Sequence, residues 1–209
     1  LGYIIFGTGG HGKVVLDNLR SIGEDVLGVM DDRWSEAEWR GVPFLGGMDH
    51  LEQIVRKYSN SLFIVAIGDN ATRGRIATYF EQRGVRFGKA VHSSAVISPD
   101  ACVGEGTVIM ANSVVNADVV VGRHVIINTG TTVDHDCNIK DYVHLSPGVH
   151  LAGQVEIGAY THIGIGASLI PEIKVGKETR IGAGACVIRN IPDGATAVGC
   201  PAKVIKISN

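Results

Sequence analysis

Residues 95–142 read, in blocks of six, AVISPD, ACVGEG, TVIMAN, SVVNAD, VVVGRH, VIINTG, TTVDHD and CNIKDY, with Ile or Val third in every block. The step persists without exception through Ile97, Val103, Ile109, Val115, Val121, Ile127, Val133, Ile139, Leu145, Leu151, Ile157, Ile163, Leu169, Val175, Ile181 and Val187. Two places before each stands a small or β-branched residue, from Ala95, Ala101 and Thr107 through Cys137 and Val143 to Ala185. Positions two apart share one side of a strand, so the pattern supplies a continuous inward lining. A hexapeptide repeat of this kind is the signature of a parallel β-helix. With three strands to a coil, residues 18 apart stack on one wall, and about five coils result. Glycines directly after the ladder residue (Gly104, Gly122, Gly158, Gly164, Gly176, Gly182) are expected at corners where φ turns positive. No block is interrupted between 97 and 187, so an active site belongs on the outer walls.

The repeat leaves 1–90 as a separate α/β domain, a small Rossmann-like parallel sheet, before an all-β domain over 91–209. Tyr3 to Phe6 is an apolar strand, followed by Gly7-Thr8-Gly9-Gly10-His11-Gly12-Lys13 and a helix whose Val14, Val15, Leu19 and Ile22 are expected to face the sheet. Further strands are expected at Val26 to Met30, ending in Asp31-Asp32, and at Leu62 to Ile67, ending in Gly68-Asp69-Asn70 before a helix from Ala71 to Gln82. Alternating strands and helices imply parallel pairing.

Read as a P-loop, the glycine segment ends Gly12-Lys13-Val14 and lacks the hydroxyl that holds Mg²⁺. Read as GxGxxG, Gly7, Gly9 and Gly12 all fit, with Asp31 and Asp32 about 20 residues on to meet a ribose hydroxyl. A second mononucleotide half has no room before the β-helix, so a single nucleotide moiety is expected, its phosphates at the helix N-terminus and the amides of Gly9, Gly10 and His11. The competing reading is a glycine turn that merely permits tight strand-to-helix packing.

The formal net charge is −2, and no Lys/Arg run provides a footprint for nucleic acid or an anionic membrane. Apolar stretches are far shorter than the ~20 residues that span a bilayer. No secretory signal opens the chain, and Leu1 leaves room for a trimmed start. Cys102, Cys137, Cys186 and Cys200 have no CxxC or zinc-finger spacing, and reduced thiols in a cytoplasmic protein are the expectation.

Polar groups superfluous to a scaffold stand out in the middle coils: Asn112, Asn116, Asn128, His135, Asp136, His144, His150 and His162. His135 lies in Asp134-His135-Asp136-Cys137 at a corner, and Gly153, stacked on it in the next coil, leaves open space above the imidazole. A carboxylate bonded to one ring nitrogen fixes the tautomer and raises basicity at the other, which suits a general base. Asp136 and Asp134 are both candidates; a plain surface histidine in a polar turn is the alternative. His144 points outward by alternation, on another part of the prism, so it meets His135 only if a neighbouring subunit supplies one of them. Cys137 falls on an inward position and reads as core.

These motifs, with the closing Asn190-Ile191-Pro192-Asp193-Gly194 and the Gly199-Cys200-Pro201-Ala202-Lys203 tail, resemble left-handed β-helix acyltransferases. The glycine loop, Asp31-Asp32, Ile67-Gly68-Asp69-Asn70 and Val133-Asp134-His135-Asp136-Cys137 are similar to the sialic-acid O-acetyltransferase-like subgroup, which includes bacterial N-acetyltransferases of nucleotide-linked 4-amino-sugars. The resemblance implies a left-handed β-helix and a homotrimer with acetyl-CoA lying between adjacent prisms. It implies His135 as general base, Asp136 as its carboxylate where the family often has Glu, and His144 placing the acetyl thioester. Gly153, Ile165 and Ala183 would line the cofactor groove, and Gly9, Gly10, His11, Asp31, Asp32 and Gly68 would hold the nucleotide part of the donor. Direct transfer from acetyl-CoA to the amine of a nucleotide amino-sugar, of UDP type, for surface polysaccharide biosynthesis follows, with no metal, nucleic acid or membrane partner. Rivals are an O-acetyltransferase of a sialic-acid-type sugar, a trimeric zinc hydro-lyase and a non-catalytic sugar-nucleotide scaffold. His144 and His162, 18 apart on one wall, make the metal site conceivable, although their spacing is not that family's usual pattern.

Overall fold

The computed structural model describes residues 2–208; Leu1, on which the reading of a trimmed start rests, and Asn209 lie outside the described residues. The N-terminal unit runs β1 (Tyr3–Phe6), α1 (Gly10–Ser21), β2 (Val26–Met30), β3 (Glu38–Trp39), β4 (Val42–Gly46), α2 (Leu51–Lys57), β5 (Leu62–Val65) and α3 (Asn70–Glu81). Its sheet has the order β3-β4-β2-β1-β5, parallel apart from the β3/β4 hairpin. In β1, Tyr3 and Ile5 enter one buried cluster with Val15, Leu16 and Leu19 of α1. Ile4 and Phe6 enter another with Leu51, Ile54, Ala77 and Phe80 of α2 and α3. A strand covered on both faces needs apolar residues at every position, which Tyr-Ile-Ile-Phe supplies.

The helix expectations need one correction. Val15 and Leu19 are buried, but Val14 and Ile22 are exposed and Leu16 takes the inward place. Ile22 is the residue that ends α1, already out of helical geometry, so its direction does not follow the 3.6-residue period.

From Ala90–Val91 onward, two-residue strands build three walls. The first carries Val108–Ile109, Ile126–Ile127, His144–Leu145, His162–Ile163 and Arg180–Ile181, and ends in the antiparallel pair Ala195–Val198 and Lys203–Ile207. The second carries Thr132–Val133, His150–Leu151 and their stacked partners, and the third Asn138–Ile139 and Glu156–Ile157 with theirs. Each strand up to Ser168–Leu169 pairs in parallel with the one 18 residues on, Val115 with Val133 and Leu145 with Ile163 among them. Ladder residues from Ile109 to Val187 form one buried column with the i−2 residues, Cys137 included.

The glycines after the ladder residue do not have the positive φ expected of them. That conformation falls two residues later, at Gly106, Gly130 and Gly148 but also at Asn112, Asp118, His124, Asp136, Tyr142 and Gln154. Close stacking of coils is the actual requirement. A Cβ on Gly164 would lie 2.6 Å from the Ala183 nitrogen, and one on Gly104 would lie 2.5 Å from the Gly122 carbonyl oxygen.

The N-terminal unit sits on the first wall. Asn18 of α1, fully buried, donates to the carbonyls of Ala90 (3.2 Å) and Ile109 (3.0 Å). Outward residues Val108, Met110 and Ile126 join the α1 cluster, so a face that would otherwise be an exposed apolar patch is covered.

Candidate active site

The glycine loop is held by sterics and by one carboxylate. Gly7 has φ +115°, and a Cβ on Gly12 would fall on the Gly7 carbonyl oxygen, so both positions need glycine. Gly9 caps α1 without a side-chain bond, and Gly9 and Gly10 face open space. Unsatisfied amides at a helix start are suited to an anion. Asp31 accepts from the Thr8 amide and hydroxyl, both at 2.8 Å, and from the Arg33 amide at 2.8 Å. Burial alone would raise its pKa, but these hydrogen bonds hold the carboxyl below its usual range. Asp32 accepts from the Met48 amide at 2.7 Å. The two acidic residues thus brace the loops beside the glycine turn.

His144 points outward from the first wall and is half-buried beneath the N-terminal unit. It stacks on His162 with ring centroids 4.7 Å apart, as the 18-residue spacing requires. Its Nε2 lies 3.2 Å from Asn128 Nδ2, and its buried Nδ1 has no hydrogen-bond partner among the described residues. Burial, aided by His162, Arg73 and His11, pushes the ring down to about 3; the Gly68 carbonyl acts in the opposite sense. His11 is likewise pushed down to about 4 by burial and by Arg73. The structure therefore brings His11 and Gly68, two residues of the expected nucleotide site, up to His144.

His135 lies elsewhere, at the corner between the second and third walls. Its Nδ1 is 2.8 Å from Asp136 Oδ2, its amide donates to Asp134 Oδ1 at 2.8 Å, and Asn116 Nδ2 donates to the same oxygen at 2.9 Å. Asp136 has φ +58°, which turns its carboxylate back onto the ring despite the short side chain. That hydrogen bond raises the imidazole above its usual range, while Asn116 and the His135 amide lower Asp134. Asp136 is thus the ring's partner and Asp134 the backbone's. The space expected above the imidazole is taken by the ring itself: a Cβ on Gly153 would lie 2.6 Å from His135 Cε1.

Ile165 and Ala183 stack at a third place, the corner between the first and second walls, where the Gly184 amide donates to the Ile165 carbonyl at 2.8 Å. Ile165 is 56% exposed. Gly153 is on the His135 corner, so one chain does not bring the four groove residues together. Cys137, with its thiol donating to the Ala152 carbonyl and its pKa pushed up to about 11 by burial, is core. Among the described residues no group of three or more His, Cys, Asp or Glu could hold a metal ion. Among the same residues no helix is long and apolar enough to cross a membrane.

Three participants were missed or left unassigned by sequence reasoning. Asn128 and Ser146 contact the stacked histidines, Ser146 Oγ at 2.9 Å from His162 Nε2. Arg73, inside α3, is 1% exposed. The signal for it was a glycine at 74 in a helix, which faces Tyr160 closely enough that a Cβ would lie 2.7 Å from the ring.

Residues 3–80 match the family model of the PglD N-terminal domain. A UDP-N-acetylbacillosamine N-acetyltransferase from Bacillus subtilis (strain 168) is 41% identical over 107 residues, a match that spans 51% of this chain and 50% of that protein. A histidine mutant of perosamine N-acetyltransferase from Caulobacter crescentus, solved with CoA and GDP-perosamine, is 40% identical and superposes with a TM-score of 0.94 over 99% of this chain and 97% of that one. The acetyltransferase domain of PglB from Neisseria gonorrhoeae FA1090, solved with acetyl coenzyme A, is 36% identical with a TM-score of 0.91 over 98% of each chain. The chain belongs to the perosamine/PglB-type N-acetyltransferases of the hexapeptide-repeat family.

Proposed function

We propose that the protein transfers the acetyl group of acetyl-CoA to the amine of a nucleotide-linked amino-sugar, with His135 as general base. The observation that carries this reading is the His135–Asp136 pair, 2.8 Å apart at an exposed corner, in a chain 40% identical to a perosamine N-acetyltransferase. With Nδ1 donating to Asp136, Nε2 carries the lone pair. It accepts the amine proton as the C–N bond forms and returns it to sulfur as the thioester C–S bond breaks, so that CoA leaves as the thiol and the imidazole is again neutral. No covalent enzyme intermediate is needed, and Cys137, the thiol beside His135 in the sequence, is core.

In this reading residues 1–90 hold the nucleotide through Gly9, Gly10, His11, Asp31, Asp32 and Gly68, and residues 91–209 carry the transfer chemistry. His144, neutral, places the thioester. Gly153, Ile165 and Ala183 line the acetyl-CoA groove, and because they sit on two corners the groove lies between chains of a cytoplasmic homotrimer. The pathway served is assembly of a surface polysaccharide from an acetylated UDP-amino-sugar. An O-acetyltransferase would use the same base; the nucleotide loop, superfluous for a free sugar, favours the nucleotide-linked amine.

The test is free-thiol release from acetyl-CoA with UDP-, GDP- and dTDP-linked amino-sugars. Release with one of these supports the reading, and release with a free sugar hydroxyl acceptor alone overturns it.

A further inference from the structure

Arg73 is a buried cation, and among the described residues no carboxylate accepts a hydrogen bond from it. Its Nη1 donates to the carbonyls of Ile67 (2.9 Å) and Gly68 (3.1 Å) in the loop after β5. Its Nε donates to the His124 carbonyl (2.8 Å) and Nη2 to the Tyr142 carbonyl (2.8 Å), on two successive coils. Nη2 also reaches Asn70 Oδ1 (2.8 Å), and Asn70 Nδ2 donates to the carbonyls of Tyr160 and Thr161, extending the contact to a third coil. Asp69, the acidic residue whose charge acts on it most, accepts at Oδ1 from the Thr72 amide as the cap of α3. An ion taken out of water in this way is weak evidence for stability. A planar fork that satisfies carbonyls from two separate units is evidence for alignment.

We propose that Arg73 is a positioning residue for acetyl transfer, pinning the Ile67–Gly68 carbonyls to the His124 and Tyr142 carbonyls and so fixing the substrate loop against the wall that carries His144. A trans peptide points its N–H and C=O in opposite directions. Carbonyls drawn onto the guanidinium therefore turn the amides of Gly68 and Asp69 the other way. Neither amide has a backbone acceptor among the described residues, and a Cβ on Gly68 would meet open space. Two donors on an open side suit a phosphate or sugar oxygen of the acceptor substrate. The charge has a second effect: burial is the main reason the His144 ring stays neutral, and Arg73 of α3 adds to it together with His162 on the next coil and His11 of α1, with no carboxylate in the set. His162 itself is faced by Arg180, Arg73 and Asp69.

The proposal rests on the acetyl-transfer reading, and the test separates the two. Arg73→Lys keeps the charge and loses the fork; Arg73→Gln loses the charge. For both, the KM for the nucleotide amino-sugar is expected to rise about tenfold to hundredfold, the size of effect of losing one hydrogen bond to a charged oxygen. The KM for acetyl-CoA stays put. His144, followed by NMR of the ring, titrates at higher pH in Arg73→Gln than in Arg73→Lys or the parent. Folded variants with lower Tm but parental KM and parental His144 titration would overturn the assignment, because that is the outcome of a merely structural role. Should neither variant fold, Asn70→Ala decides: a smaller rise in the same KM supports the proposal and an unchanged KM overturns it. Should the parent release no thiol with any acceptor, the transfer reading fails, and the His144 titration with hydrogen exchange at 67–70 still tests the pin.

Discussion

His135 and His144 lie nine residues apart, and the molecule places their identical side chains in opposite settings. At the corner, His135 is 56% exposed and bonded to a carboxylate, so its protonated form is favoured. Beneath the N-terminal unit, His144 is desolvated and faces Arg73, so its neutral form is favoured. One repeat thus sets identical side chains in two protonation environments, an exposed ring held towards its protonated form and a desolvated ring held neutral. Desolvation plus a cation makes the second; an exposed ion pair makes the first.

The contrast can be broken first at the base. His135→Ala is expected to reduce acetyl transfer by about 10²- to 10⁴-fold at saturating substrates, measured by thiol release. Near-parental turnover would remove His135 from the role. Asp136→Asn comes next, with a smaller loss and a displaced pH profile. A base must be unprotonated to act, so turnover rises with pH through the raised midpoint of His135, and losing the carboxylate moves that acid limb to lower pH. Gly153→Ala sharpens the geometry, since its new methyl would lie 2.6 Å from Cε1 and turn the ring off its axis. A loss of about tenfold is expected, with the acid limb little moved.

The buried side of the contrast is tested by stability rather than activity. His11, His124 and His144 are pushed down to about 4, 3 and 3. Their folded-state values lie below the unfolded value of about 6.5, so the unfolded chain binds more protons and stability falls as pH drops from about 6.5 towards 4. Each contributes up to about 1.4 kcal/mol per pH unit in that window, measurable by urea unfolding from pH 7 to 4.5. A flat profile would mean that these rings protonate freely in the folded state.

Much of this was legible in the sequence because a six-residue step has few structural solutions. The ladder located the inward residues up to Val187, stacked His144 on His162 and set Gly153 against His135. The glycine corners were misread by two residues because Gly104 and its equivalents are needed for close coil contact, a cause that local conformational reasoning does not see. β3, β4 and α2 stayed hidden because they are short and their burial comes from tertiary contacts, not from a period. Arg73 stayed hidden because a charged residue in a helix reads as surface; its burial follows from a docking of units that no local pattern encodes.

In the proposed mechanism acetyl transfer uses His135 of one chain and His144 of another. Mixing His135→Ala with His144→Ala subunits, by refolding or co-expression, measures this, each variant by itself being expected to lose nearly all activity. In a cyclic assembly each chain offers one face to the next, so random mixing predicts recovery of about a quarter of parental activity. No recovery from verified mixed assemblies would contradict the claim and return the site to a single chain.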